Sequence, residues 1–208
     1  MELPIAIVAI LGAVLIGAIS PGPSFVLVAR TAVAVSRSDG IAAALGMGLG
    51  GSIFAAAALL GLQVVLAAVP SLYLGLKIAG AAYLIYLAIR LWRGAAAPIA
   101  AADVAPGRIG SRRRSFALGL ATQLSNPKTA MVYASIFTAL LPADQPPWLA
   151  AIVLPSIFAI EAGWYAIVAV AFSSERPRRG YLRSKRWIDR AAGAVMGLLA
   201  LKLIWDAR

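Results

Sequence analysis

No charged residue occurs between Leu3 and Ala29, and none between Gly40 and Leu76. A soluble domain cannot bury apolar runs of that length, whereas a bilayer core requires roughly 20 consecutive apolar residues for each helical span. The hydropathy pattern predicts six spans, at residues 3–28, 40–69, 71–92, 116–141, 148–172 and 189–207, with short turns at Val69-Pro70-Ser71 and from Pro142 to Pro147. Helices satisfy their own backbone groups in lipid, so the expected fold is an all-α integral membrane protein. At 62% hydrophobic and 13% charged, the 208 residues hold too little polar surface to coat a soluble domain. The first span lacks a basic leader and its apolar run is long, so it is expected to be retained rather than cleaved as a signal peptide.

A net charge of +11 would suggest nucleic acid in a soluble protein, but here the basic residues sort by loop. Arg30 and Arg37 follow span one. Arg90, Arg93, Arg108, Arg112, Arg113 and Arg114 follow span three. Arg176, Arg178, Arg179, Arg183, Lys185, Arg186 and Arg190 follow span five. The alternate loops, around Pro70 and Asp144, carry no Lys or Arg. That asymmetry places the basic loops in the cytoplasm and both termini outside, with the lipid bilayer rather than nucleic acid as the partner. Residues 93–115, which include the Ala-, Pro- and Gly-rich stretch from Ala95 to Gly110, read as a cytoplasmic basic linker between halves 1–92 and 116–208. With no Cys and no His, the chain offers no disulfide, no thiol redox chemistry and no ordinary transition-metal site. No cofactor is expected.

Inside the first apolar run stands Ser20-Pro21-Gly22-Pro23-Ser24. An offset of 105 residues lays it over Ser125-Asn126-Pro127-Lys128-Thr129 in span four. Ser-Pro and Asn-Pro are helix-start signals, a capping side chain followed by proline at the first helical position. Each pentad can therefore end one half-helix and start another, whose free N–H groups and positive dipole end suit an anion such as a carboxylate. Because each half holds three spans, the second enters the membrane from the opposite side, giving two inverted three-helix repeats of the kind found in secondary transporters. A plain packing kink at each proline is the alternative.

Lys128 and Glu161 fall near the middle of spans four and five, where charges are costly and usually face a pathway. Lys128 suits a substrate carboxylate. Desolvation favours the neutral form of Glu161, which suits a proton carrier or the partner of an ammonium group. A structural Lys128–Glu161 ion pair is the competing reading. Gln123 joins the candidate substrate-binding set of Ser20, Pro21, Gly22, Pro23, Ser24, Asn126, Pro127 and Lys128. Gln63, Tyr83, Tyr86 and Tyr133 are polar side chains that serve equally well as helix contacts or interfacial anchors. Lys77 and Lys202 are expected to snorkel. Pro155 is placed to kink span five. Gly46, Gly50, Gly80, Gly193 and Gly197 are read as close helix-packing positions, within the subunit or between two copies of a homodimer.

"SPGPSFVLVART", "GMGLGG", "LKIAGAAYLIYLAIRLWR", "QLSNPKTAM" and "IDRAAGAVMGLLALKL" together resemble the LysE/RhtB family of amino-acid exporters. The resemblance implies proton-driven export of a small cationic or neutral amino acid across the bacterial inner membrane. Pro21, Gly22, Pro23, Asn126, Pro127 and Lys128 are the matching motif residues, and Gly46, Lys77 and Gly80 are lesser ones. Glu161 rests on burial and charge alone. Two other classes stay open. An intramembrane hydrolase would have to use a pair such as Ser125 with Lys128. Transport of a metal ion would have only Glu161 as anionic ligand.

Overall fold

The computed structural model describes residues 3–68, 70–94, 111–141 and 145–205. Its elements are helices: α1 (Leu3–Ile19), α2 (Pro23–Ala34), α3 (Arg37–Ala68), α4 (Pro70–Gly94), α5 (Arg112–Leu124), α6 (Pro127–Leu140), α7 (Leu149–Phe172) and α8 (Glu175–Trp205). Spans one and four are each broken in two at the proline pentads, and α1 and α2 bend by 56° across the first break. Among the described residues, Arg37–Gly61 of α3 and the whole of α7 are long and apolar enough to cross a membrane, as is the bent α1–α2 pair if counted together.

Two sequence expectations change. Residues 173–188, between the fifth and sixth expected spans, read as a basic loop, yet from Glu175 onward they belong to α8, which is continuous. Arg and Lys are good helix formers, and a charge run dictates exposure rather than irregular backbone. Likewise Arg30 lies within α2 and Arg37 opens α3. The linker at Ala95–Gly110, Val69, and Pro142–Asp144 of the fourth turn lie outside the described residues, as do the side chains of Gln63 and Lys77.

α3 is the hub, packing most extensively on α7 and α5, while α4 packs on α8. Glycine makes the hub contacts close. A Cβ at Gly46 would collide with Phe116 O and stand 2.7 Å from Leu120 N, and one at Gly119 would collide with Ala43 O, so α3 and α5 meet backbone to backbone. At Gly48 it would stand 2.7 Å from Ala162 Cβ of α7. Gly50 faces Gln123 at 2.7 Å, and Gly80 faces Ser135 Oγ at 3.1 Å. Gly193 lies under the Trp92 ring, whereas a Cβ at Gly197 would meet nothing within 4 Å.

Two apolar clusters fill the interior. One joins Ile10, Leu84, Ile136, Phe137, Met196 and Leu203. The other joins Phe25, Val28, Met47, Tyr165 and Phe172, with the Phe25 and Phe172 rings edge to face at 5.3 Å. Large apolar side chains such as Val8, Leu60, Leu198 and Leu201 also point outward. Helices apolar on both inner and outer faces suit a lipid surround. Pro155 sits inside α7 without ending it.

Candidate functional site

The two helix breaks differ in how they settle their backbone. In a continuous helix, the N–H of residue 21 would serve Gly17 O; Pro21 has none to give. Ser20 N–H still reaches Ile16 O at 3.3 Å, but α2 then begins on Gly22, which is extended (φ −154°, ψ −171°) and has no side-chain cap, with Pro23 after it. At the second break Pro127 removes the donor for Gln123 O in the same way, and Asn126 N–H replaces it at 3.2 Å. The Asn126 side chain then caps α6, accepting from Lys128 N–H at 3.0 Å.

The first break is completed by the second. Lys128 extends from the first turn of α6 and donates through Nζ to Ser20 O at 3.0 Å and Gly17 O at 3.3 Å. Its side chain passes over Gly22, where a Cβ would stand 3.4 Å from Lys128 Cδ and Nζ. The orphaned carbonyl at the end of α1, where the helix dipole is negative, is thus met by an ammonium group.

A small chamber lies at this junction, with a volume of about 20 Å³, enough for one water molecule. Gly22 and Ser24 from the start of α2, and Asn126, Lys128 and Thr129 from the start of α6, line it together with Ser20, Tyr133, Tyr165 and Glu161. Tyr133 belongs to one apolar cluster and Tyr165 to the other, so the chamber sits where the two meet.

Ser24, Asn126, Tyr133 and Glu161 of its lining are joined through Gln123 in one chain of hydrogen bonds. Asn126 Nδ2 donates to Ser24 Oγ (3.0 Å), which donates to Gln123 Oε1 (2.6 Å). Gln123 Nε2 donates to Glu161 Oε2 (2.5 Å), and Tyr133 OH donates to Glu161 Oε1 (2.8 Å). Ser24, Gln123, Asn126, Tyr133 and Glu161 are all buried. Fully partnered networks of this kind hold their members in fixed orientation. Gly51 makes room for the carboxylate, since a Cβ there would stand 2.5 Å from Glu161 Oε2 and 2.9 Å from Tyr133 OH. Ser20 Oγ stands outside this chain. It is buried and has no hydrogen-bond partner.

Beyond Lys128 opens a vestibule of about 620 Å³, within the usual range for small-molecule sites. Gly22, Asn126 and Lys128 line both cavities and form the partition between them. The vestibule is also lined by Pro21, Pro23 and Pro127, by Tyr83, Tyr86 and Arg90 of α4, and by Lys185 and Asp189 of α8. Among the described residues the buried ion pair is Lys185–Asp189, at 2.7 Å, with Lys185 Nζ also donating to Gly94 O at 3.1 Å. Lys128 and Glu161 line the same chamber but do not pair directly, because each is held by other partners: Lys128 by Gly17 O and Ser20 O, Glu161 by Gln123 and Tyr133.

The sequence reading missed several of these residues. Tyr165 gives no signal without the packing around Glu161, and Gly51 reads only as one more glycine of the "GMGLGG" packing stretch. Lys185 and Asp189 do give one: opposite charges at i and i+4 on a helix.

The chain matches the family model described as LysE type translocator over residues 15–207. The threonine efflux protein of Escherichia coli is 33% identical over 192 residues, covering 91% of this chain and 93% of that protein. The protein of that name in Salmonella typhi is similar to the same extent. An uncharacterized membrane protein of Escherichia coli, YahN, is 33% identical over 196 residues, covering 90% of this chain and 83% of its own. No solved structure matches.

Proposed function

This chain belongs to the LysE type translocator family, and we propose that it exports an amino acid or a close derivative from the bacterial cytoplasm. The observation that carries this reading is the meeting of both helix breaks at one polar chamber, beside a vestibule that ends among basic residues. A zwitterion suits such a place. Lys128 and the N-terminus of α6 offer the carboxylate a cation and a positive dipole end. Glu161, or the carbonyls at the first break once Lys128 leaves them, offer the ammonium group its acceptors. Relatives named for threonine efflux make small hydroxylated or neutral amino acids the first to test.

In this reading the helices form six inner-membrane spans as two inverted repeats, with the basic ends cytoplasmic and both termini outside. Helix packing supports that scheme. α3 lies against α7 and α4 against α8, so the second and third spans of one half meet their counterparts in the other. The broken spans exchange partners, with α5 on α3 and α1 and α2 on α7. Rocking of one half against the other would open the chamber to each side in turn. Glu161 carries the proton that drives export, exchanging it for substrate.

An export screen tests the reading. Cells overproducing the protein are fed dipeptides, and each amino acid is measured inside and out. The expected result is that one small group of amino acids falls inside and rises outside. Failure of every amino acid to move, while a divalent cation does, would overturn it.

A further inference from the structure

We infer that the C-terminal end of α1 is a subsite for a primary ammonium group, which Lys128 occupies as a built-in stand-in until a substrate displaces it. The inference rests on the amino-acid export reading and deepens it. Gly17 O lacks its helical donor because residue 21 is proline. Ser20 O lies beside it at the break. Lys128 Nζ donates to both, at 3.3 and 3.0 Å. A primary ammonium has three N–H groups. A third oxygen is at hand, since Ser20 Oγ is 2% exposed, lines the same chamber and has no partner. Two backbone carbonyls and a hydroxyl at the negative end of a helix match the head of an α-amino group as they match a lysine.

The cavities give independent support. The chamber holding Glu161 has room for one water, while the vestibule of about 620 Å³ beside it has room for an amino acid. Lys128 forms part of the wall between them. From the vestibule, a solute meets that side chain before it reaches Glu161. A zwitterion brings what the exchange requires: its ammonium replaces Nζ on the α1 carbonyls, and its carboxylate receives the displaced lysine. An amine without a carboxylate leaves the displaced lysine unpaired and so cannot make the exchange. The site therefore selects primary amines that carry a carboxylate, and it disfavours N-alkylated ones, which have fewer donors.

The test uses detergent-purified full-length protein and thermal stabilisation by two probes, alaninol and N,N-dimethylalaninol. The first is a primary amine without a carboxylate. Lys128→Met leaves the subsite empty, so it should bind alaninol at least about tenfold more tightly than wild type does, the loss of one charge-assisted hydrogen bond setting the scale. It should discriminate against the dimethyl probe, and adding Ser20→Ala should weaken alaninol binding. Equal alaninol binding by wild type and Lys128→Met, or no preference between the probes, overturns the subsite. Pro21→Ala provides a second route with Lys128 intact. It returns an N–H to Gly17 O, so affinity for the exported amino acid should drop about tenfold, and unchanged affinity overturns the inference. Wild type is titrated with the amino-acid panel in parallel. If it binds an amino acid but the alaninol pattern is absent, the subsite alone fails. If no amino acid binds, the export reading fails and the subsite with it.

Discussion

At the second helix break, Asn126 settles the backbone within its own span: its N–H serves Gln123 O and its side chain caps the Lys128 N–H. At the first break, Pro21 strips Gly17 O of its donor, Gly22 provides no cap, and the oxygens of Gly17 and Ser20 depend on a lysine from the other half of the chain. The same device, a proline inside an apolar helix, thus yields one self-sufficient end and one end that requires an outside cation. A buried carbonyl left without a donor costs about 1–3 kcal/mol, so the first break is held in place by whatever satisfies it. On the proposed export reading, that asymmetry assigns the ligand to the first break and makes the second the support for Lys128.

The largest effect should come from removing the link between the breaks. Lys128→Met should lower export by about a hundredfold, the upper range for loss of charge-assisted hydrogen bonds, while protein in the membrane stays at its normal level by immunoblot. Full activity would show that the two breaks do not depend on each other. The matched prolines sharpen the contrast. Pro21→Ala gives Gly17 O a competing donor and should cost about tenfold in export rate, whereas Pro127→Ala returns a donor to a carbonyl already served and should change the rate less than about threefold. Equal losses would erase the asymmetry. Glu161→Gln keeps the size of a side chain bonded to both Gln123 and Tyr133 but removes its titration. Export by this variant should be slower and flat with pH, where wild type varies; an unchanged pH profile would move proton coupling to another residue. The smallest effect falls on stability. Asn126→Ala loses a helix cap, worth about 1 kcal/mol, together with its bond to Ser24, and should lower the melting temperature by a few degrees.

Much of this was legible in the sequence because the relevant chemistry is local. Proline's missing N–H is covalent, so Pro21 and Pro127 announce their breaks without any fold. Lys128 and Glu161 stand out because charges are costly amid apolar residues. The glycines of α3 are visible as small residues, but which neighbour each one admits is not. Gly51 against Glu161 and Gly46 against Phe116 O are contacts between segments far apart in the chain. The sequence also offers two opposite charges and suggests pairing them. Only the fold shows that Lys128 turns to the carbonyls of Gly17 and Ser20, leaving Glu161 to Gln123 and Tyr133. The basic run in α8 reads as a loop in the sequence because charge reports exposure, and an exposed helix satisfies that requirement as well as a loop does.

The central claim is that one solute is held between the two breaks, and the chain's lack of cysteine allows a direct measurement. Pro23→Cys and Pro127→Cys each place a single thiol at an exposed, vestibule-lining first position of α2 or α6. Labelling of each variant by a small maleimide is followed as the exported amino acid is titrated. Protection of both thiols, with the same half-protecting concentration, is the predicted result. Protection of one thiol without the other, or of neither, would contradict a site shared by the two breaks.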